Sequence, residues 1–389
     1  MANTKTSGLT ALAGASIDAE ADSIPLLDSS ASELKRVLAG NIRSMLIEPN
    51  VLINGGFDFA QRQAPGTLTA ITTDKYSADR WRISRETASL QYARIDTNGA
   101  LETGLTGRYY GQFKQITSAG KFAIYQPVEA INTFPLASRV VSFQCKLKAS
   151  SSKTIRLGLV QLNSSGTVDT INATVVPTWG ANSTDPTLAT NHARITPSAA
   201  VSNGSVSGSG ISCSVTTSWQ QFGGVFTMPS NAKNIIPMLW TDSQFSANDS
   251  LYVAEAGLYD GSALRAWLPR LTQHELALCQ RYFLVIGDRD VTYEKFGFGP
   301  AGFTTAAYMW MAFPVHMRII PTFSSSAAGD FILFDGVSIF TCTSLASNVA
   351  SNWSFELNAG VASGLTTRQW YSFQRDNTDA ARLYFDAEL

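Results

Sequence analysis

RVVSFQCKLKA at 139–149 and TIRLGLVQL at 154–162 decide the fold class. In the first run Val141, Phe143, Cys145 and Leu147 alternate with Ser142, Gln144, Lys146 and Lys148. In the second, Ile155, Leu157 and Leu159 alternate with Arg156 and Gly158. A period of two sends apolar side chains to one face of a strand and polar ones to the other. The same pattern, bounded by Gly, Asn and Ser, recurs in SLQYARI (89–95), FAIYQPVE (122–129), GISCSVTT (210–217), WQQFGGVFTM (219–228), NIIPMLW (234–240) and SLYVAEAGLYD (250–260). Many short strands with hardly a helical period predict an all-β, jelly-roll-like sandwich over 49–263. Within it, Trp179 to Gly210 is rich in Asn, Ser, Thr, Pro and Gly and reads as a long surface loop or excursion.

Composition bounds the function. Charged residues make up 15% and apolar ones 44%, which excludes a disordered chain or a coiled coil. A net charge of −1 supplies no field for nucleic acid or an acidic membrane, so neither is expected as a partner. No run approaches the ~20 apolar residues that span a bilayer, and MANTKTSGLT lacks the order of a signal peptide. A soluble protein made in the cytoplasm is expected. The four cysteines, Cys145, Cys213, Cys279 and Cys342, lie more than 60 residues apart and form no CxxC spacing, so free, buried thiols follow. The three histidines, His192, His274 and His316, are scattered, and neither a metal nor a cofactor is expected.

Outside the sandwich, residues 1–48 are too short and small-residue rich to bury a core alone. They carry the apolar run Ile24-Pro25-Leu26-Leu27 and the segment SSASELKRVLAGNIRSML. There Ser30 and Glu33 form a capping box, and Leu34, Val37, Leu38, Ile42, Met45 and Leu46 share a helical face. LKRVL reads equally as a short strand followed by a helix, because Gly40 weakens a continuous one. Either way its apolar face needs a partner, so Leu26, Leu27, Leu34, Val37 and Leu38 are the candidate anchoring residues. LRAWLPRLTQHELALCQRYF (264–283) reads as a connector helix with a capping box at Thr272 and Glu275. Strand patterns resume over 284–389, a second β domain. In AAYMWMAF both parities are apolar, which predicts a strand buried on both faces, inside a sandwich or against another subunit.

Carboxylate pairs that suit glycoside hydrolysis are Asp74 with Asp79, Asp242 with Asp249, Asp288 with Asp290, and Asp376 with Asp379. Each lies in a polar, turn-like setting where Asp caps backbone amides, and no internal repeat is present, so no catalytic residue is assigned. Trp81 and Trp219 read as core or core edge, and Asp79 with Arg80 as a local salt bridge. GFGPAGF (297–303) reads as a hairpin loop, since no helix follows to cradle a phosphate. Trp310, Trp353, Trp370 and Tyr371 cluster in the last 80 residues and are the candidate ligand surface, with core packing or a subunit interface as the other role for such rings.

Three stretches resemble tailed-phage tail-fibre and virion-appendage proteins. MANTKTSGLTALAGASIDAEADSIPLLDSSASELKRVL (1–38) is similar to their N-terminal adaptor, in which K-x-S-x-L-x-A-L leads into an apolar strand ending in Asp. NVLINGGFDFAQRQ with YSADRW, closing on SWQQFGGVFTMP and LYVAEAGLYDG, resembles their carbohydrate-binding-module-like sandwich. LCQRYF and MRIIPTF resemble the opening of the C-terminal β domain that often follows. The resemblance implies a virion structural protein, usually a homotrimer. It would be joined to tail or head proteins by its N-terminus, assembled in the host cytoplasm, and would present its β domains to a host-surface glycan or protein. A head or tail decoration protein without receptor binding is the alternative. A polysaccharide depolymerase is the third reading, and the leading expectation is not an enzyme.

Overall fold

The computed structural model describes the backbone of Ser23–Asp28 and Glu33–Leu38, and residues 50–389 apart from 65, 72, 164 and 288–290. Ser23–Asp28 (β1) and Glu33–Leu38 (β2) form an antiparallel hairpin with Ile24 opposite Val37 and Leu27 opposite Leu34. The helical reading of Leu34, Val37 and Leu38 is therefore corrected, and the short-strand alternative holds for this stretch. An isolated short helix nucleates poorly, whereas a facing strand satisfies the same backbone groups at once. Ile42, Met45 and Leu46 lie outside the described residues.

The sandwich is built from β3 (Thr69–Ala70), β4 (Lys75–Tyr76), β5 (Arg82–Arg85), β6 (Leu90–Asp96), β7 (Tyr109–Gln115), β8 (Phe122–Tyr125), the short helix α1 (Ala130–Thr133), β9 (Val140–Ala149), β10 (Lys153–Leu162), β11 (His192–Ile195), β12 (Pro197–Ser202), β13 (Gly204–Ser207), β14 (Gly210–Val215), β15 (Gln220–Thr227), β16 (Asn234–Thr241) and β17 (Ser250–Asp260). One sheet runs β13-β14-β10-β16-β8-β5-β4 with β11 also on β10, and the other runs β12-β15-β9-β17-β7-β6-β3. The two decisive runs, β9 and β10, sit centrally in opposite sheets, so their apolar faces meet. Phe143, Cys145 and Leu147 join Ile155, Leu157 and Leu159 in one core that also holds Phe57, Trp81, Tyr92 and Phe113. Trp81 is fully buried there, stacked on Phe57 at 5.2 Å, and its Nε1 donates to the Asn54 carbonyl at 2.8 Å.

Trp179 to Gly210 is not all loop. It contains β11, β12 and β13, short strands at or near the sheet margins. Polar, Ser-rich strands suit such places because one edge faces water.

The connector helix, α2 (Thr272–Gln280), is shorter than 264–283. Pro269 disfavours helix just before it. Leu271 takes the N-cap position, and the expected capping box is absent. The Glu275 carboxylate instead accepts from the Asn54 backbone N–H and from Arg270. The C-terminal strands are β18 (Phe283–Ile286), β19 (Lys295–Phe303), β20 (Ala306–Ala312), β21 (Thr322–Ser325), β22 (Phe331–Phe334), β23 (Ile339–Ala350), β24 (Ser354–Val361), β25 (Trp370–Arg375) and β26 (Leu383–Asp386). Six of them close a barrel in the order β19-β20-β24-β23-β22-β25, and β18-β26-β21 form a separate sheet packed on the same core. GFGPAGF is thus strand rather than loop: it is β19, paired with β25 on one side and β20 on the other.

Sandwich and C-terminal domain are joined by polar contacts at the paired strands β18 and β26. At the start of β18, Gln61 Nε2 donates to the Phe283 carbonyl at 2.8 Å, and Arg281 pairs with Glu129 at 2.9 Å. Just after β26, Glu388 pairs with Arg80. Asp79 and Arg80 therefore do not pair with each other. Asp79 accepts from Gln61, and Arg80 reaches the far end of the chain. All four cysteines are free and buried.

Candidate functional site

β20 has one buried face. Ala307, Met309 and Met311 point into the barrel core, while Tyr308, Trp310 and Ala312 point outward. The expectation of burial on both faces is corrected within this chain: a closed barrel gives each strand one inner side. Trp310 is 63% exposed as a result. Across the ladder it stands opposite Glu356 of β24, and on the neighbouring pair Pro300 of β19 stands opposite Trp370 of β25. Trp370 is 66% exposed and Phe298 57%. Phe355 and Leu357, both buried, fix Glu356 outward by alternation.

These outward side chains line a groove of about 410 Å³, floored by β19 and β20 and walled by Trp310, Trp370, Phe298 and Tyr308. At Gly299 the two strands approach so closely that an added Cβ would lie 1.7 Å from the Tyr308 carbonyl oxygen. Only glycine fits there, and the closeness brings the Trp310 and Trp370 sides of the groove together. The polar members are Asn348 and Glu356, and Asn348 Nδ2 donates to Glu356 Oε1. Flat apolar walls with a fixed carboxylate and amide suit a ligand that has both apolar faces and hydroxyl or amine edges.

The four residues singled out from the sequence divide. Trp310 and Trp370 share the groove. Trp353 does not line it. It lies between β23 and β24, 63% exposed, with its ring 4.3 Å from that of His316. Tyr371 is corrected to a core residue: it is 1% exposed, and its hydroxyl accepts from the Thr366 N–H at 2.8 Å. Adjacent residues of one strand face opposite ways, so Trp370 and Tyr371 cannot share a surface. Phe298, Tyr308, Asn348 and Glu356 were missed. The alternation in AAYMWMAF already sets Tyr308 beside Trp310, but the register that brings Glu356 opposite is a matter of long-range pairing.

Of the carboxylates considered for hydrolysis, Asp74, Asp79, Asp242, Asp249 and Asp376 are engaged, whereas Asp379 is exposed. Asp74 accepts from Ser84 Oγ at 2.9 Å, Asp242 pairs with Arg156 at 2.7 Å, and Asp249 with Lys153 at 2.6 Å. Asp79 lies 4.0 Å from Arg62, and burial pushes its carboxyl up. Asp376 caps the next amide, Asn377 N–H, at 2.7 Å, and Asp288 and Asp290 lie outside the described residues. Trp219 is half-buried on the outer face of the seven-stranded sheet, donating to Glu102 at 2.8 Å beside Tyr110 and Lys148. A second cavity, about 650 Å³, lies between Asp58, Arg94, Trp267 and Glu275. There burial and the Glu275 charge push the Asp58 carboxyl up.

No protein-family model matches this sequence, and no curated protein does. Among solved structures the chain is similar to the carbohydrate-binding module TmCBM61, solved with β-1,4-galactotriose. The identity is 13%, over 55% of this chain and 99% of that one, at a TM-score of 0.31. It is similar to a putative sugar binding protein from Bacteroides thetaiotaomicron at 12% identity, over 55% and 100%, with a TM-score of 0.34. The enzymatically active domain of bacteriophage CBA120 tailspike protein 4 matches at 9% identity, over 55% of this chain and 21% of that one, with a TM-score of 0.33. None of these likenesses bears on what the groove binds.

Proposed function

We propose that this chain is a glycan-binding attachment subunit of a virion, held to the particle by its N-terminal segment and recognising saccharide through the barrel groove. The observation that carries the reading is the pair of exposed tryptophans, Trp310 and Trp370, walling one groove around Glu356 and Asn348. Exposed large apolar side chains gathered on one surface mark a binding site, and indole faces stack on the apolar faces of sugar rings. One carboxylate in the groove supports binding over hydrolysis, which ordinarily uses two. The particle role rests on the resemblance of 1–38 and 50–63 to phage appendage proteins, as does homotrimeric assembly, which would multiply weak contacts into avid ones.

Calorimetry against a panel of neutral, amino and acidic oligosaccharides tests the groove. Binding by the full chain that is lost in Trp310→Ala and in Trp370→Ala supports the assignment, and binding unchanged in both variants removes it. Immunogold labelling of intact particles tests the virion role separately, and unlabelled particles would refute it.

A further inference from the structure

Charge in the groove is one-sided. Among the described residues its lining contains Glu356 and no Lys, Arg or His. Asn348 engages Oε1, and among the described residues Oε2 has no hydrogen-bond partner. Two carboxylates buried deeper than Glu356 are each matched by a cation, Asp242 by Arg156 at 2.7 Å and Glu255 by Lys146 at 2.8 Å. Glu356 is half-buried between aromatic walls and is unmatched. Aromatic faces attract cations through their quadrupole, and a neighbouring carboxylate adds to that attraction. The same carboxylate repels an anionic ligand, and among the described residues no guanidinium or ammonium lines the groove to offset it.

We infer that the groove selects saccharides bearing an ammonium group, with Glu356 Oε2 receiving the ammonium while Trp310 and Trp370 flank the ring. This rests on the glycan reading and deepens it: stacking supplies general sugar binding, and Glu356 supplies the preference. Asn348 is a positioning residue, because its amide fixes the Glu356 carboxylate and leaves the second oxygen for the ligand.

The test uses the full chain with three probes of similar length: fully deacetylated chitosan oligosaccharide, its N-acetylated counterpart, and oligogalacturonate. Titration at about pH 6 keeps carboxylates ionised and sugar amines protonated. The expected result is binding of the amine probe roughly tenfold tighter than the acetylated one, weakened by salt, with no binding of the uronate. Glu356→Gln should bring the first two affinities together without abolishing either. Trp310→Ala should lose both. Equal or tighter binding of the acetylated probe or the uronate by the wild-type chain overturns the ammonium preference and leaves the glycan reading standing. A preference that persists in Glu356→Gln, with an unchanged melting temperature, overturns the role of that residue. Failure of every oligosaccharide, the neutral panel included, overturns both readings.

Discussion

Arg80 and Glu388, 308 residues apart in sequence, form an ion pair whose side chains are only 1% and 4% exposed. The Arg80 guanidinium also donates to the Pro127 carbonyl at 2.6 Å and lies 3.6 Å from the centroid of the Tyr282 ring. One side chain thus touches the sandwich, the residues following α2, and the chain just after β26.

Removing one partner of a buried pair strands the other charge. Glu388→Ala is expected to cost about 3–5 kcal/mol of unfolding free energy. Glu388→Gln, which keeps a hydrogen-bond acceptor, should cost less. Urea unfolding followed by tryptophan fluorescence measures both, and a change under about 1 kcal/mol for Glu388→Ala would show that the pair does not hold the joint.

Adjacent residues of β25 should respond in opposite ways to truncation. Trp370→Ala removes an exposed ring and should shift stability by less than about 1 kcal/mol. Tyr371→Ala opens a cavity in the barrel core and should cost about 3–5 kcal/mol. Tyr371→Phe isolates the Thr366 contact and should cost about 1 kcal/mol. Equal losses in the two alanine variants would mean that the outward face is covered in the folded protein.

Gly299→Ala should damage both fold and groove. A methyl placed 1.7 Å from the Tyr308 carbonyl oxygen forces β19 from β20. The expected cost is about 1–3 kcal/mol or more, together with weakened saccharide binding. Thermal melting and calorimetry read the two effects, and a variant with wild-type melting would show that the strands are not so tightly apposed.

Thiol reactivity follows burial. Burial pushes the Cys213 and Cys342 thiols up to about 12, and Cys145 and Cys279 rise well above the ordinary thiol range. Thiolate is the reactive form, so a disulfide reagent at neutral pH should label none of the four in the folded chain and all four in denaturant without reductant. Rapid labelling of native protein would contradict the burial.

On the acid side, burial favours protonation of Glu102 and Asp249, but the hydrogen bonds they accept outweigh it. Lys148, Trp219 and Tyr110 hold Glu102 below its ordinary value, and Lys153 with the Ser246 amide does the same for Asp249. A lowered folded-state value adds stability above the unfolded carboxylate range and loses it as pH falls through the folded value. The contribution of these two groups should therefore decline below about pH 4. Glu102→Gln should flatten part of that decline in urea midpoints taken across the acid range. An unchanged slope would remove Glu102 from the account.

Alternation made the sandwich legible, because Val141, Phe143, Cys145 and Leu147 repeat a two-residue period that no helix shares. The same rule, applied with register, gives Trp310 outward and Met309 inward. Without register the apolar content of both faces of AAYMWMAF read as double burial. Periodicity left two readings at Leu34, Val37 and Leu38, and pairing with Ile24 and Leu27 decided between them. Glu356 was silent in sequence because a lone Glu in SFELNAGV has no local feature. Its meaning comes from standing opposite Trp310. Arg80 was matched to the wrong acid, since proximity in sequence favoured Asp79 over a carboxylate 308 residues away.

The C-terminal domain is fastened to the sandwich through its paired strands β18 and β26, by Gln61 and Glu129 beside the first and by Arg80 just after the second. Mechanically it is a handle with two rivets rather than a flag on a single line. A pull delivered through the groove divides between two anchorages loaded side by side, so neither can be unzipped residue by residue while the other stays slack. Rupture would require both to yield together, so a load would reach the sandwich as a whole-body drag instead of a peel.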